Sequence, residues 1–253
     1  MRGIQSDIKK YYEEWWENPK DPRGVIFNRL NRIVFDRFPH GKGKRALDIG
    51  SGRGTIVSLL LRKGYQVTAV ELNENFTKGL KQNFPEVKII EGDFNTVPIN
   101  GIFDIVTAIE FIQNLDREAL RAFLKKVASL TDRLFINISN RKSLHGFWTA
   151  FRAFQKPFVH TYTPEEINRM IEEIDFRVTY EKGIGFLTPI TLLSNFRFII
   201  IPCCIAKIFN TIGDRIFPKL CHLYYLEAKR NSRGSHENRS YRGKWFYWIS
   251  CSG

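Results

Sequence analysis

The chain has 253 residues, of which 43% are apolar, and a formal net charge of +13. That supplies one large hydrophobic core and leaves too little length for a second full domain. Its four cysteines, Cys203, Cys204, Cys221 and Cys251, have no paired C-x-x-C spacing and all lie late in the chain. They argue against a zinc site or a disulfide framework and read as reduced packing residues.

Residues 1 to 41 read as two helices. The first carries "YYEEWW"; the second places Val25, Ile26, Leu30, Ile33, Val34 and Phe38 at helical spacing, with Pro22 near its start. The opening sixteen residues alternate polar and aromatic side chains, so neither a signal peptide nor a membrane span is expected there, and residence in the cytoplasm is the default. From Lys44 onward the pattern alternates strand and helix. Strands are expected at "RALDI", "QVTAVE", "VKIIEG", "FDIVTAIE" and "RLFINIS", with helices starting near Arg53, Asn73 and Arg117. Short apolar strands separated by helices predict a parallel sheet with crossover connections.

Residues 140 to 161 interrupt this rhythm with aromatic and basic side chains. A well-signalled helix follows, with Thr163 as N-cap, Pro164 at the first position and Glu166 completing a capping box. A sixth strand is expected at "FRVTYEKGIG" and a seventh at "HLYYLEAKR". The apolar stretch between them is broken by Pro189, Arg197, Pro202 and Lys207, which argues against a spanning helix of roughly 20 apolar residues. The chain then ends in a tail, 231 to 253. From Lys229 to Lys244 six basic residues face the single Glu237, and "WFYW" follows. The first half of the tail is expected to be disordered.

The turn "DIGSGRGT" carries the first chemical signal. A dinucleotide-binding turn needs G-x-G-x-x-G, but here the third glycine is Gly54 and Thr55 occupies the expected place. Asp48, just ahead of the turn, would repel a pyrophosphate and attract an ammonium group. This combination points away from NAD and towards S-adenosylmethionine, which carries an ammonium and no phosphate. Glu71 ends the second strand, 21 residues after Gly50, where a carboxylate can accept hydrogen bonds from both ribose hydroxyls. Asp93 follows the third strand, placed to accept from an adenine amino group, with Phe94 as an apolar surface for the ring.

"ALDIGSGRG", "VTAVELN", "IIEGDFNTVP" and "FDIVTAIEFIQNL" resemble the successive motifs of the class I S-adenosylmethionine-dependent methyltransferases. "FINISNRKS", "TYTPEEINRMIEEIDFRV" and "HLYYLEAKR" are loosely similar to the ubiquinone-biosynthesis O-methyltransferases and related small-molecule enzymes. The resemblance implies an α/β fold, a Rossmann-like seven-stranded, mostly parallel sheet with helices on both faces, plus N-terminal helices and helical cap inserts. It implies S-adenosylmethionine as cofactor, lined by Asp48, Gly50, Ser51, Gly52, Gly54, Glu71, Leu72, Asp93, Phe94 and Ile109. The expected organisation is one methyltransferase domain over 1–230. It divides into an N-terminal helical cap (1–41), a cofactor-binding half (42–141), an insert and helix (142–177) and the last strands with the apolar insert (178–230).

The pattern departs from the quinone-type enzymes after the fourth strand. They often read Glu-x-x-Glu-His, whereas here Glu110 is followed by Gln113 and Asn114, and no metal is expected. If the acceptor must lose a proton, Glu110, His145 and His160 are the candidate bases. Tyr12, Trp16 and Asn114 are candidate acceptor contacts. Aromatic and aliphatic residues crowd both inserts and basic residues flank them, so the expected acceptor is a small, apolar or lipid-like molecule, with possible peripheral contact at a membrane surface. Sugars, RNA and a non-catalytic interaction role are the rival readings. Nucleic acid is not favoured, because the basic residues are scattered or held in the tail and no aromatic RNA-binding motif occurs.

Overall fold

The structure, a computed structural model, describes residues 23–143, 146, 160–186 and 203–231. The expected first helix, the "YYEEWW" cluster and the tail lie outside the described residues, apart from Asn231. In chain order the elements are α1 (Arg23–Arg37), β1 (Arg45–Ile49), α2 (Thr55–Arg62), β2 (Gln66–Glu71), α3 (Glu74–Asn83), β3 (Lys88–Glu91) and β4 (Ile105–Ala108). They continue with α4 (Arg117–Ala128), β5 (Arg133–Ser139), α5 (Pro164–Glu173), β6 (Phe176–Ile184), α6 (Cys203–Ile216) and β7 (Leu223–Arg230).

The seven strands form one sheet in the order β3-β2-β1-β4-β5-β7-β6. β7 runs antiparallel to both of its neighbours, and every other pairing is parallel. The order reverses between β1 and β4, and in an open α/β sheet the crevice at the carboxyl ends of such a pair is where ligands bind. The central strands are buried on both faces: Ala46, Leu47, Val106, Ala108, Leu134, Phe135 and Ile136 are all closed to solvent.

Two apolar layers cover the sheet. On one face Leu120, Phe123, Leu124 and Val127 of α4 pack with Ile167, Met170 and Ile171 of α5 over Leu134, Ile136 and Leu226. The other face receives α1 through Ile26, Leu30 and Val34, with Phe38 just beyond it, four positions each one helical turn apart. Polar ties fix that helix: Arg37 donates to Glu227 at 2.6 Å and 3.1 Å, and Arg29 pairs with the buried Asp214 at 2.7 Å. Glu227 and Asp214 are each only 1% exposed, so removing either arginine would leave a buried carboxylate without that partner.

The local signals act as the residue chemistry requires. Asn73 caps α3 by accepting from the backbone of Asn75 and Phe76, and Asp116 caps α4 through Ala119. Thr163 and Glu166 form the reciprocal capping box of α5, with Pro164 in its first turn. No described helix is long and apolar enough to cross a membrane.

Candidate active site at the switch point

The chain leaves β1 through a turn that Val70 of β2 holds closed, its carbonyl accepting from the backbone N–H groups of Gly50 and Ser51. The Ser51 hydroxyl donates back to the Asp48 carbonyl at 3.1 Å. Gly50, Gly52 and Gly54 all have positive φ. Their surroundings differ, and so do their roles. A Cβ on Gly54 would come within 2.4 Å of Phe84 and 2.8 Å of Leu80, so this glycine lets α2 lie against α3. A Cβ on Gly52 would meet nothing within 4 Å, so its backbone faces open space, the place for a ligand.

Glu71 is bonded to that open turn. One carboxylate oxygen accepts from the Gly52 N–H at 2.7 Å and the other from the Asn73 N–H at 2.8 Å. Desolvation raises its pKa, and these backbone donors oppose the shift. Each oxygen has a second lone pair, so the carboxylate can still accept a hydroxyl while holding the turn. Leu72 beside it is 46% exposed, an apolar side chain at the open rim.

Asp48 lies one strand inward and is buried, 1% exposed. Its Oδ1 accepts from the Thr107 hydroxyl of β4 at 2.6 Å, its partner in the strand register, whereas Oδ2 is buried without a hydrogen-bond partner among the described residues. Burial pushes its pKa up to about 6, against the lowering effect of the Thr107 hydrogen bond. An unsatisfied buried carboxylate oxygen next to a glycine turn suits a cationic or N–H-bearing ligand group. With the free space at Gly52 and the acceptor capacity of Glu71, this donor set fits the ammonium and ribose of S-adenosylmethionine.

The loop after β3 is organised by Asp93, whose Oδ1 accepts from the Asn95 N–H at 2.9 Å. Phe94 turns its ring into the core, 2% exposed and 5.3 Å from the ring of Phe123, so its side chain is not available as a stacking surface. Ile109 is likewise buried, 8% exposed. Lys126 of α4, absent from the sequence reading, donates to the carbonyls of Phe94 and Val97 and lies 4.8 Å from the Phe94 ring centroid. It ties the Asp93 loop to the body of the domain.

Beyond β4 the chain passes through Glu110 with φ 58, a left-handed conformation unusual for a glutamate. Asn137 of β5 holds it at both ends: its Oδ1 accepts from the Glu110 N–H at 2.7 Å, and its Nδ2 donates to Glu110 Oε1. Gln113 adds bonds from its Nε2 to the Glu110 carbonyl at 2.7 Å and to Oε2 at 3.3 Å. Desolvation nevertheless raises the Glu110 pKa to about 7, with Asn137 and Gln113 opposing it. A half-buried acid balanced near neutrality and fixed in direction is suited to accepting a proton.

His160 joins this region, its backbone N–H donating to the Gln113 carbonyl at 2.7 Å. Asn114 lies in the short 3-10 turn Ile112–Asn114 next to it. His145, Tyr12 and Trp16 lie outside the described residues. No sequence motif marks Asn137, and Gln113 is marked only by its departure from the quinone-type pattern. Asn137 is fully buried between the apolar Ile136 and Ile138, and an amide in that run is the available signal. Among the described residues no group of three or more His, Cys, Asp or Glu side chains could hold a metal ion.

The chain is similar to known methyltransferases in sequence and in fold. Residues 46–133 match the family described as "Methyltransferase domain". Ribosomal RNA small subunit methyltransferase A of Porphyromonas gingivalis is 36% identical over 72 residues, and the match spans 28% of this chain and 28% of that relative. The ubiquinone biosynthesis O-methyltransferase of Rickettsia akari is 22% identical over 202 residues, spanning 71% of this chain and 80% of that protein. In fold, the chain is similar to the magnesium protoporphyrin IX methyltransferase of Synechocystis crystallised with bound SAH, with a TM-score of 0.63 and 16% identity over 90% of this chain and 100% of that one.

Proposed function

We propose that this chain is a class I S-adenosylmethionine-dependent methyltransferase that methylates an oxygen of a small, apolar or lipid-like acceptor, with Glu110 taking the acceptor's proton. When bound, the cofactor supplies a methyl group already activated by its sulfonium, so the protein's work is alignment and proton removal. The observation that carries the reading is the Glu110 site: a strained, half-buried acid at the switch point, held by Asn137 and balanced near pH 7.

Each residue then has a task. The Gly52 backbone and Glu71 would hold the ribose side, and Asp48 would hold the ammonium. Asp93 is placed to accept from the adenine amino group. Glu110 ionises as the pH rises through about 7, and its carboxylate would take the hydroxyl proton of the acceptor. Asn137 and Gln113 keep that carboxylate aimed. His160 is the second candidate base, held beside the same turn by Gln113.

An RNA acceptor is suggested by the ribosomal RNA relative, but that match spans only 72 residues. A sugar acceptor and a non-catalytic role are further rivals. The test is incubation of the full chain with S-adenosylmethionine and separate lipid, polar-metabolite and RNA fractions, followed by mass spectrometry for a species heavier by one methylene. Product in the lipid fraction that Glu110→Gln abolishes supports the proposal. Product confined to sugars or RNA, or undiminished product from Glu110→Gln, overturns it.

A further inference from the structure

The end of α6 and the turn after it show an unusual set of side chains to solvent. Ile212, Ile216, Phe217 and Leu220 are 52%, 62%, 47% and 41% exposed, with Arg215 and Lys219 exposed among them. Neighbouring acids offset these cations in part, through the pairing of Lys219 with Glu165. Asp214 is buried and paired with Arg29, and Glu165, 4.0 Å from Lys219, lies 3.0 Å from Lys142. The result is a small apolar patch with a basic rim.

Its place in the fold ties it to the candidate active site. β7 runs antiparallel to β5 with Leu223 opposite Ser139, so the segment entering β7 lies at the carboxyl end of β5, the sheet edge that carries Glu110 and Asn137. Asn140, just past β5, pins it there by donating to the carbonyls of Lys219 and Cys221 at 2.8 Å and 2.9 Å.

We infer that Ile212 to Leu220 is a docking face for an anionic lipid bilayer. The apolar side chains enter the boundary between headgroups and acyl chains, and Arg215 and Lys219 meet anionic headgroups. A second copy of the chain is a poorer occupant. A stable pair buries about 800 Å² on each partner, more than four partly exposed side chains supply, and a two-fold contact would bring the patch's cations towards their own copies. The inference rests on the lipid-like acceptor proposed above, since docking there brings the membrane to the edge of the sheet where Glu110 lies.

The test is sedimentation of the full chain with vesicles of phosphatidylcholine, with and without phosphatidylglycerol, at low and high salt. Calorimetric binding of S-adenosylhomocysteine is measured in parallel. The wild type is expected to sediment with the anionic vesicles at low salt and not with the neutral ones. The double variant Arg215→Glu, Lys219→Glu should lower partitioning by ~30-fold, and Ile212→Ser, Ile216→Ser by roughly 10-fold, with melting temperature and S-adenosylhomocysteine affinity unchanged in both. Absence of wild-type sedimentation, or sedimentation of both variants equal to wild type, overturns the docking face. So does concentration-dependent self-association that the variants abolish. Sedimentation without S-adenosylhomocysteine binding would instead remove the proposed activity while leaving the docking face in place.

Discussion

On the β1–β3 side of the switch point Glu71 and Asp93 are held by backbone N–H groups, Glu71 by those of Gly52 and Asn73 and Asp93 by that of Asn95. On the β4–β5 side Glu110 is held by side-chain amides, and the closer clamp, Asn137, comes from 27 residues further along the chain. Backbone donors belong to the turn itself and persist through most substitutions, whereas an amide clamp is lost with a single residue. Cofactor binding is therefore expected to be robust to most changes outside Glu71, and chemistry to be sensitive to positions that never touch the cofactor.

The sharpest way to separate the two sides is Glu110→Gln. It should lower kcat by roughly 10²- to 10⁴-fold, the usual range for a general base, with S-adenosylhomocysteine affinity unchanged in calorimetry. Equal losses in both would merge the two sides into one site. Glu71→Ala should do the reverse. It removes the charged acceptor that the Gly52 and Asn73 N–H groups share, weakening cofactor binding by about 1.5 to 3 kcal/mol, while kcat at saturating cofactor changes little.

Asn137→Ala tests the clamp itself. Losing a buried hydrogen-bond partner is expected to raise the barrier by about 1 to 3 kcal/mol, lowering activity roughly 5- to 150-fold. Because Asn137 lowers the Glu110 pKa, its removal should also move the rising limb of the pH–rate profile above the wild-type inflection near 7. A loss of rate with an unmoved inflection would make Asn137 a merely structural residue.

The pH dependence of stability follows from the same burial. The folded chain keeps the Glu110 proton up to about pH 7, whereas the unfolded chain releases it near the ordinary carboxylate value of 4.5. Stability from this group is therefore complete below that lower value and falls as pH rises through 7. Glu110→Gln should flatten this slope and raise the melting temperature at pH 8 relative to wild type. The smallest expected effect is that of Asp48→Asn. It keeps a group that can accept from Thr107 but removes the charge facing the ammonium, weakening cofactor binding by about 1 kcal/mol.

The same contrast explains what the sequence could convey. The strands "RALDI", "QVTAVE" and "RLFINIS" have the expected bounds because each is an apolar run closed by turn or helix-cap residues. The expected strand around β4 is trimmed at both ends to four residues, Ile105–Ala108, and at its carboxyl end the chain bends into the left-handed Glu110. Gly54 also lets two helices pack closely, and the ring of Phe94 turns into the core. Spacing fixes where a residue falls along the chain and leaves open which way its side chain points. The clamp of Asn137 on Glu110 joins distant residues through the β4–β5 register, which no local pattern encodes.

The turn from Asp48 to Gly54, with Glu71 behind it, is suited to S-adenosylmethionine rather than a dinucleotide. The most direct measurement is calorimetric titration of the full chain with S-adenosylmethionine and, separately, with NAD. Saturable one-to-one binding of S-adenosylmethionine with no heat from NAD is the predicted result. Absence of S-adenosylmethionine binding, or equal affinity for NAD, would contradict it.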